Sequence, residues 1–290
     1  MKIYYYAETG HRVGLDRFRR AAAIIKSLQG ADITLLCSDF RIASVAKDYG
    51  VEKCVGIDVI RNIPQIAHNG DKLILDSSET NPTMLQDMRG YFSTFIRLSD
   101  REEEQKEKNE FLISIYTPDD TETCHGYAVD EDFYNYEGQK DINLTYFFGD
   151  DDYHKELESN FAFVDGLDAH LQLGFYYFLD YETMLEKHFK SSSTFLEYKE
   201  TIQRSKILLS ASPQAILESL ACANKPIYFQ RTGYKDDFVK LFEELNIPIV
   251  KDYNRQELDK ILAHIKTHKY YKREHKSNKI ANFIKQALKL

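Results

Sequence analysis

The sequence lacks three features that would assign it to a specialised class of protein. It has four cysteines among 290 residues and no C-x-x-C pair, which is typical of reduced structural thiols. No apolar run approaches the roughly 20 residues that a membrane-spanning helix needs. No secretory signal precedes the first strand-like segment, so we expect a cytoplasmic protein without a transmembrane segment.

An excess of basic residues is also missing. The formal net charge is −8, which argues against a general nucleic-acid-binding protein. A negative net charge does not exclude an anionic ligand, because the backbone N–H groups at the start of a helix bind phosphate whatever the charge of the whole chain.

Short apolar runs alternate with segments of helical periodicity, which predicts βαβ units and parallel sheets covered on both faces. In the first half the predicted strands are residues 3–7, 33–37, 54–57, 73–75 and 95–98, and the predicted helices are 16–28, 41–49, 60–67 and 82–91. In the second half the predicted strands are 143–148, 171–178, 206–210, 227–230 and 248–250, and the predicted helices are 153–161, 181–188, 213–223, 235–245 and 255–267.

A charged run, SDREEEQKEKNE, interrupts this alternation, and the acidic stretch that follows the strand-like FLISIYT has no clear periodicity. We interpret residues 101–141 as an acidic excursion that connects two domains, although an insertion within one domain is equally open. The sequence thus predicts two Rossmann-like, doubly wound parallel-sheet domains, over 1–141 and 142–268. The second would bind nucleotide, and a basic helix over 269–290 would follow it.

The stretch SASPQAILESL carries the signals of a helix start. Ser212 is a favoured N-cap residue, Pro213 suits the first helical position, and Glu218 lies inside the helix. Open parallel sheets bind ligands at the carboxyl ends of their strands, in the loops that lead to helices. The backbone N–H groups of this helix are therefore a candidate phosphate site, and a capped helix without a ligand is the alternative.

Four stretches occur in the order found in a known group of enzymes: ETGHRVGLDRFRRAAAI, DKLILDSSETN, NLTYFFGDDDYHKEL and SKILLSASPQAILESLACANKPIYF. They resemble the motifs of nucleotide-sugar enzymes of the GT-B fold, most closely the UDP-sugar hydrolases of pseudaminic acid synthesis. The resemblance implies a GT-B fold and a UDP-sugar substrate, and it implies no metal and no other cofactor. It also implies cleavage of the anomeric C–O bond to release UDP in nonulosonic acid metabolism.

The resemblance implies two catalytic residues. His11 is the candidate base that activates the attacking water, because histidine titrates near neutral pH. Asp76, at the end of a predicted strand, would orient His11 or bind a sugar hydroxyl.

The binding residues that the resemblance implies are of two kinds. Ser210, Ser212, Gln214 and Glu218 would bind the nucleotide, with Glu218 accepting hydrogen bonds from the ribose hydroxyls. The residues expected to contact the sugar or phosphate are Gly10, Arg17 and Gly149.

The GDDD loop departs from the G-G-x-D motif of the family. Three carboxylates after Gly149 would repel a diphosphate unless a cation or an arginine intervened. We expect no metal there, because three consecutive carboxylates on a turn point in different directions. Two alternatives to a hydrolase stay open: a GT-B glycosyltransferase with a UDP-sugar donor, and a non-catalytic GT-B-like binding protein. The identity of the sugar and the oligomeric state also stay open.

Overall fold

The structure is a computed structural model that describes residues 1–234, 236–271 and 277–290. By its internal contacts the chain divides into two compact units. Unit 1 comprises Met1–Gly10, Arg17–Asp130 and the described C-terminal residues, whereas unit 2 comprises His11–Asp16 and the described residues from Glu131 onwards to 271. The domain boundaries given above stay predictions. The segment His11–Asp16 groups with unit 2, although the chain on both sides of it belongs to unit 1.

The centre of unit 1 is a seven-stranded parallel sheet in the order β3-β2-β1-β4-β5-β6-β7. Its strands are β1 (Ile3–Ala7), β2 (Ile33–Cys37), β3 (Cys54–Gly56), β4 (Lys72–Asp76), β5 (Thr94–Ser99), β6 (Phe111–Ser114) and β7 (Thr123–His125). All five residues of β1 are buried. A strand that is covered on both faces is apolar without alternation, and this is why the run IYYYA predicted it.

The helices of unit 1 cover this sheet. They are α1 (Asp16–Ser27), whose first residue groups with unit 2, α2 (Ile42–Val45), α3 (Ile63–Ile66), α4 (Pro82–Tyr91) and α12 (Ser277–Leu288). Local signals set the start of α4, because the Asn81 side chain accepts hydrogen bonds from the N–H groups of Thr83, at 3.0 Å, and Met84, at 3.3 Å.

The segment interpreted as an excursion contributes two strands, β6 and β7, to the sheet of unit 1. Its charged residues are partly buried in ion pairs. Arg97 in β5 binds Glu110, with 2.7 Å between Nη2 and Oε1, and Glu104, with 2.8 Å between Nη1 and Oε1. Glu104 and Glu110 are therefore paired, since pairing of this kind compensates burial, whereas Glu102, Glu103, Glu107 and Lys108 of the same run are exposed.

The centre of unit 2 is a six-stranded parallel sheet in the order β10-β9-β8-β11-β12-β13. Its strands are β8 (Ile142–Phe147), β9 (His170–Gln172), β10 (Ser191–Ser193), β11 (Ser205–Ser210), β12 (Lys225–Gln230) and β13 (Ile249–Lys251). Its helices are α5 (Glu131–Tyr134), α6 (Glu156–Ser159), α7 (Leu179–Glu186), α8 (Tyr198–Arg204), α9 (Pro213–Ala221), α10 (Val239–Glu244) and α11 (Arg255–His264). The two predicted parallel-sheet α/β domains are confirmed.

Some predicted elements of unit 2 differ from the structure. The predicted helix 153–161 is reduced to the single turn α6, and the predicted strand 171–178 ends early, at Gln172. Strand β10 and helix α8 were not predicted. The predicted helices 235–245 and 269–290 include residues 235 and 272–276, which lie outside the described residues, and α10 and α12 are the helices found in their described parts. None of the described helices has the length and apolar character needed to cross a membrane.

Candidate functional site

The carboxyl edge of the unit 2 sheet collects the two polar loops that the sequence singled out, together with a third that it did not. Strand β8 leads into Gly149 and three aspartates, β11 into Ser212 and α9, and β12 into Arg231. The strand order reverses between β8 and β11, because the chain extends the sheet first to one side of β8 and then to the other. Crevices at such switch points are the usual ligand sites of open α/β sheets.

The segment His11–Asp16 packs against residues at this edge. The ring of His11 lies 4.6 Å from that of Tyr176 and 6.3 Å from that of Phe178, measured between ring centroids. The guanidinium of Arg12 lies 4.4 Å from the centre of the Tyr153 ring, within the range of a cation–π interaction. The first strand-to-helix loop of the chain therefore contributes its polar residues to unit 2.

A carboxylate occupies the N-terminus of α9. Ser212 is the N-cap as predicted: its hydroxyl accepts a hydrogen bond from the N–H of Ala215, at 3.1 Å. The same hydroxyl donates to Oδ1 of Asp16 at 2.6 Å, and the N–H of Gln214 donates to Oδ2 at 3.2 Å. The oxygen of Ser210 accepts from the N–H of Ser212, at 3.0 Å, which shapes the turn before the helix. The start of α9 thus holds an anion, because orphan N–H groups and the helix dipole favour negative charge there.

Asp16 was not among the predicted site residues. From the sequence, Asp16 is only an acidic residue in the first turn of α1, where negative charge is favourable. Its partner Ser212 lies 196 positions further along the chain. A contact at this separation has no local signal, so only the folded chain brings the two residues together.

The predicted ribose-binding residue, Glu218, is buried in α9 with 2% exposure. The hydroxyl of Tyr198 donates to its Oε2 at 2.6 Å, and the side-chain amide of Gln214 donates to its Oε1 at 3.0 Å. Two predicted binding residues are therefore brought together, and both carboxylate oxygens of Glu218 have a protein donor. A ribose would have to share or replace these bonds, so this role of Glu218 stays a prediction.

The GDDD loop is buried and bonded within unit 2. Asp152 accepts the N–H groups of Glu156, at 2.7 Å, and Leu157, at 3.1 Å, and so caps α6; it also accepts the hydroxyl of Tyr181. These bonds satisfy the first N–H groups of α6 and fix the loop to the start of this helix. Asp150 accepts the N–H of Phe175 at 3.2 Å and so joins this loop to the one that follows β9.

Arg231 is the arginine that the acidic loop requires. Its Nη1 donates to Oδ2 of Asp151 at 3.1 Å, and its Nη2 donates to Oε1 of Glu156 at 2.7 Å. Burial raises the pKa of Asp151 to about 6, although the adjacent guanidinium acts in the opposite direction. One guanidinium is thus shared by two carboxylates, and it is engaged by the protein itself. Its position directly after a buried strand, at the ligand-binding edge, is the signal that would have singled it out.

Gly149 has a structural reason to be glycine. Its φ is +132°, in the region that side chains disfavour. Gly174, after β9, packs against it so closely that a Cβ at position 174 would collide with the carbonyl oxygen of Gly149 and lie 2.8 Å from the Cα of Asp150. The predicted contact of Gly149 with sugar or phosphate stays a prediction.

The remaining predicted residues lie in unit 1. Asp76 is fully buried, and Arg20 binds it through both carboxylate oxygens, with Nε–Oδ2 2.8 Å and Nη2–Oδ1 2.5 Å. Tyr5 donates to Oδ2 at 3.2 Å, and Nε of Arg17 lies 3.4 Å from Oδ1. These contacts are those of a buried structural ion pair, and the role of Asp76 in orienting His11 stays a prediction. Gly10 ends the first segment of unit 1.

Unit 1 has a cleft of its own, which we call the β1–β4 cleft. Its volume is about 450 Å³, within the size range of small-molecule sites. It lies at the carboxyl edge of the unit 1 sheet, where the strand order reverses between β1 and β4. The lining residues are Tyr6, Glu8, Thr9, Ser38, Asp58, Val59, Ile60, Arg61, Glu79 and Met84.

In the described part of the chain, no group of three or more His, Cys, Asp or Glu side chains is arranged to hold a metal ion.

Comparison with known proteins gives a match in structure but not in sequence. No protein-family model and no curated protein matches the sequence. The structure is similar to that of S. aureus MnaA with UDP, at a TM-score of 0.64 and 13% identity over 100% of this chain and 97% of that one. It is similar to the Methanocaldococcus jannaschii UDP-GlcNAc 2-epimerase in complex with UDP-GlcNAc and UDP, at 0.61 and 10% identity over 99% and 100%.

A third similar structure is a glycosyltransferase from Rickettsia africae, with a TM-score of 0.57 and 10% identity over 99% of this chain and 98% of that one. At such low identities the likeness establishes the fold alone. The predicted GT-B architecture of two Rossmann-like units, with seven and six parallel strands, is therefore confirmed.

Proposed function

We propose that this chain is a nucleotide-sugar enzyme that binds the diphosphate of a UDP-sugar at the N-terminus of α9. The observation that carries the proposal is the anion already held there. The hydroxyl of Ser212 and the N–H of Gln214 both donate to the carboxylate of Asp16. A phosphate oxygen is an equivalent acceptor for the same two donors. The fold shared with proteins solved in complex with UDP supports this choice of nucleotide.

Glycosyl transfer is the reaction that we favour. A transferase needs room for a second substrate, and the β1–β4 cleft, at about 450 Å³, has the size of a small-molecule site. In this reaction an acceptor hydroxyl attacks the anomeric carbon, the bond from that carbon to the diphosphate oxygen breaks, and UDP leaves with the bonding electron pair. The acceptor proton passes to a base, and His11 is the residue that we propose for it.

A UDP-sugar hydrolase is the second candidate. The four motifs quoted above favour it, and the chemistry is the same except that water replaces the acceptor hydroxyl. A non-catalytic binding protein is the third, and the sharing of Arg231 between Asp151 and Glu156 favours it, because a guanidinium engaged in this way is less available to a diphosphate.

Nucleotide binding is the first test. Thermal unfolding is measured with UDP, CDP, GDP and UMP, and a nucleotide present at about 100 times its dissociation constant adds about 2.7 kcal/mol to stability. We expect stabilisation by UDP and little by the others. The absence of a shift with every nucleotide at millimolar concentration would contradict both enzymatic functions and leave the binding protein.

Release of UDP separates the two enzymes. UDP-sugars are incubated with the chain in the presence and absence of candidate sugar acceptors, and free UDP is measured. A transferase releases UDP only when the acceptor is present. Release at the same rate without acceptor would identify the hydrolase.

A further inference from the structure

We infer that the β1–β4 cleft binds a small hydroxylated ligand that carries a protonated amine, such as an amino sugar. This inference deepens the proposed glycosyl transfer, on which it rests, because it names the chemical class of the second substrate. The binding claim itself concerns unit 1 alone and is tested without a nucleotide.

The charge of the cleft is the first observation. Three of its lining residues, Glu8, Asp58 and Glu79, are acidic, and one, Arg61, is basic. The three carboxylates come from different loops, which follow β1, β3 and β4 at the same edge of the sheet. An anionic ligand is repelled by such a surface, whereas a protonated amine gains charge-assisted hydrogen bonds from it.

Glu8 lines the cleft and retains accepting capacity. Its Oε2 accepts the N–H of Ser78 at 2.6 Å and the hydroxyl groups of Ser78 at 2.8 Å and Ser77 at 3.3 Å. Nη1 of Arg17 lies 3.6 Å from the same oxygen. Burial acts to raise the pKa of Glu8, but Arg17 and the serine hydrogen bonds outweigh it and lower the pKa, so the group is ionised at neutral pH. Within the described residues no donor bonds its other oxygen, Oε1.

Thr9 supplies an independent observation. Thr9 lines the cleft and is only 4% exposed. Among residues 1–234, 236–271 and 277–290, no group forms a hydrogen bond with its side-chain hydroxyl. A buried hydroxyl without a hydrogen-bond partner is unfavourable, because it has lost its bonds to water and gained none in the protein. A ligand hydroxyl that bonds to Thr9 would remove this cost, which makes the residue a reason to expect a hydroxylated ligand rather than a simple amine.

The experiment compares three probes on one ring scaffold: glucosamine at mildly acidic pH, glucose and glucuronate. Binding to the full chain is followed by calorimetry or ligand-observed NMR. We expect glucosamine to bind most tightly, glucose more weakly and glucuronate not at all. Glucose or glucuronate binding as tightly as glucosamine, or no binding by any probe, would overturn the inference.

Variants locate the binding. Asp58→Asn and Glu79→Gln each remove one carboxylate charge from the cleft and should weaken glucosamine binding about tenfold. Asp87→Asn is the matched control, because Asp87 is exposed on α4, outside the cleft lining, and makes the same change of charge. Thr9→Val should also weaken binding while leaving the stability of the free protein unchanged or raised. Equal affinities in the control and the cleft variants would overturn the assignment of the site.

The outcome is independent of the nucleotide site. UDP affinity, measured on the same variants, should not change, because the donors proposed for the diphosphate are the Ser212 hydroxyl and the Gln214 N–H, which neither substitution alters. A chain that binds glucosamine but no nucleotide would contradict the proposed function and leave the cleft assignment standing. A chain that binds UDP but none of the probes would contradict the cleft assignment and leave the proposed nucleotide site standing.

Discussion

Replacing Asp16 by asparagine tests whether the start of α9 is an anion site for the nucleotide. The change keeps the shape of the side chain and one accepting oxygen for Ser212 but removes the charge. A hydrogen bond to a charged acceptor contributes about 1.5–3 kcal/mol and one to a neutral acceptor about 0.5–1.5 kcal/mol. We therefore expect the free protein to lose about 1–2 kcal/mol of unfolding free energy, to which the helix dipole also contributes.

The effect on nucleotide affinity has the opposite sign. A phosphate that uses the Ser212 hydroxyl and the Gln214 N–H must displace the carboxylate of Asp16, and an asparagine is displaced more easily. The same difference of about 1–2 kcal/mol predicts UDP affinity about 5- to 30-fold higher in Asp16→Asn than in the wild type. Isothermal titration with UDP measures the affinity, and chemical denaturation without nucleotide measures the stability.

The matched control is Asp32→Asn. Asp32 pairs with Lys53 at 2.6 Å, and its side chain is 76% exposed, so the net charge changes equally while the α9 N-terminus stays intact. We expect little change in either quantity. Unchanged or weaker UDP binding in Asp16→Asn would refute the competition and place the phosphate elsewhere, even if the variant were less stable as calculated.

Three further predictions concern the same edge of unit 2. His11→Ala should lower kcat about 100-fold or more while UDP affinity stays within about twofold, as for loss of a general base; equal loss of both would assign His11 to binding. Because the pKa of Asp151 is raised to about 6 in the folded state, this carboxyl group stabilises the fold below its unfolded pKa, and that stability is lost as pH rises through about 6. The stability of Asp151→Asn relative to wild type should thus rise by on the order of 3 kcal/mol between about pH 4 and pH 7 in denaturation series, and a constant difference would contradict the shift. Gly174→Ala should cost at least about 1–3 kcal/mol, because the new Cβ collides with Gly149; wild-type stability would show that the two loops separate easily.

Much of the fold could be predicted because its signals are local. The buried run of β1 and the alternation of strands with helices specify parallel sheets, since a strand covered on both faces must be apolar throughout. The cap at Ser212 and the proline after it also predicted the start of α9 correctly. The strand-like stretch FLISIYT contains β6 but was interpreted as part of the excursion, and β7 was missed. The neighbouring charges are neutralised by partners such as Arg97, whose pairing with Glu110 is a tertiary contact.

The candidate site was predicted in part. Ser210, Ser212 and Gln214 do lie together at the start of α9, and Glu218 follows on the same helix. The motifs could not indicate which side chains of the protein itself form hydrogen bonds with these predicted binding residues. The carboxylate of Glu218 is bonded by Tyr198, and the helix start is bonded by Asp16, from segments distant along the chain.

The sequence by itself determined the alternation of strands and helices in two parallel-sheet units and the capped start of α9, because periodicity and capping act over a few neighbouring residues. Only the tertiary structure decided that His11–Asp16 packs with unit 2, that Asp16 holds the start of α9, and that Arg231 lies between two carboxylates. These outcomes depend on contacts between segments that are distant along the chain. Burial of the polar side chains at these contacts makes each of them require a hydrogen-bond or ion-pair partner and shifts its protonation equilibrium.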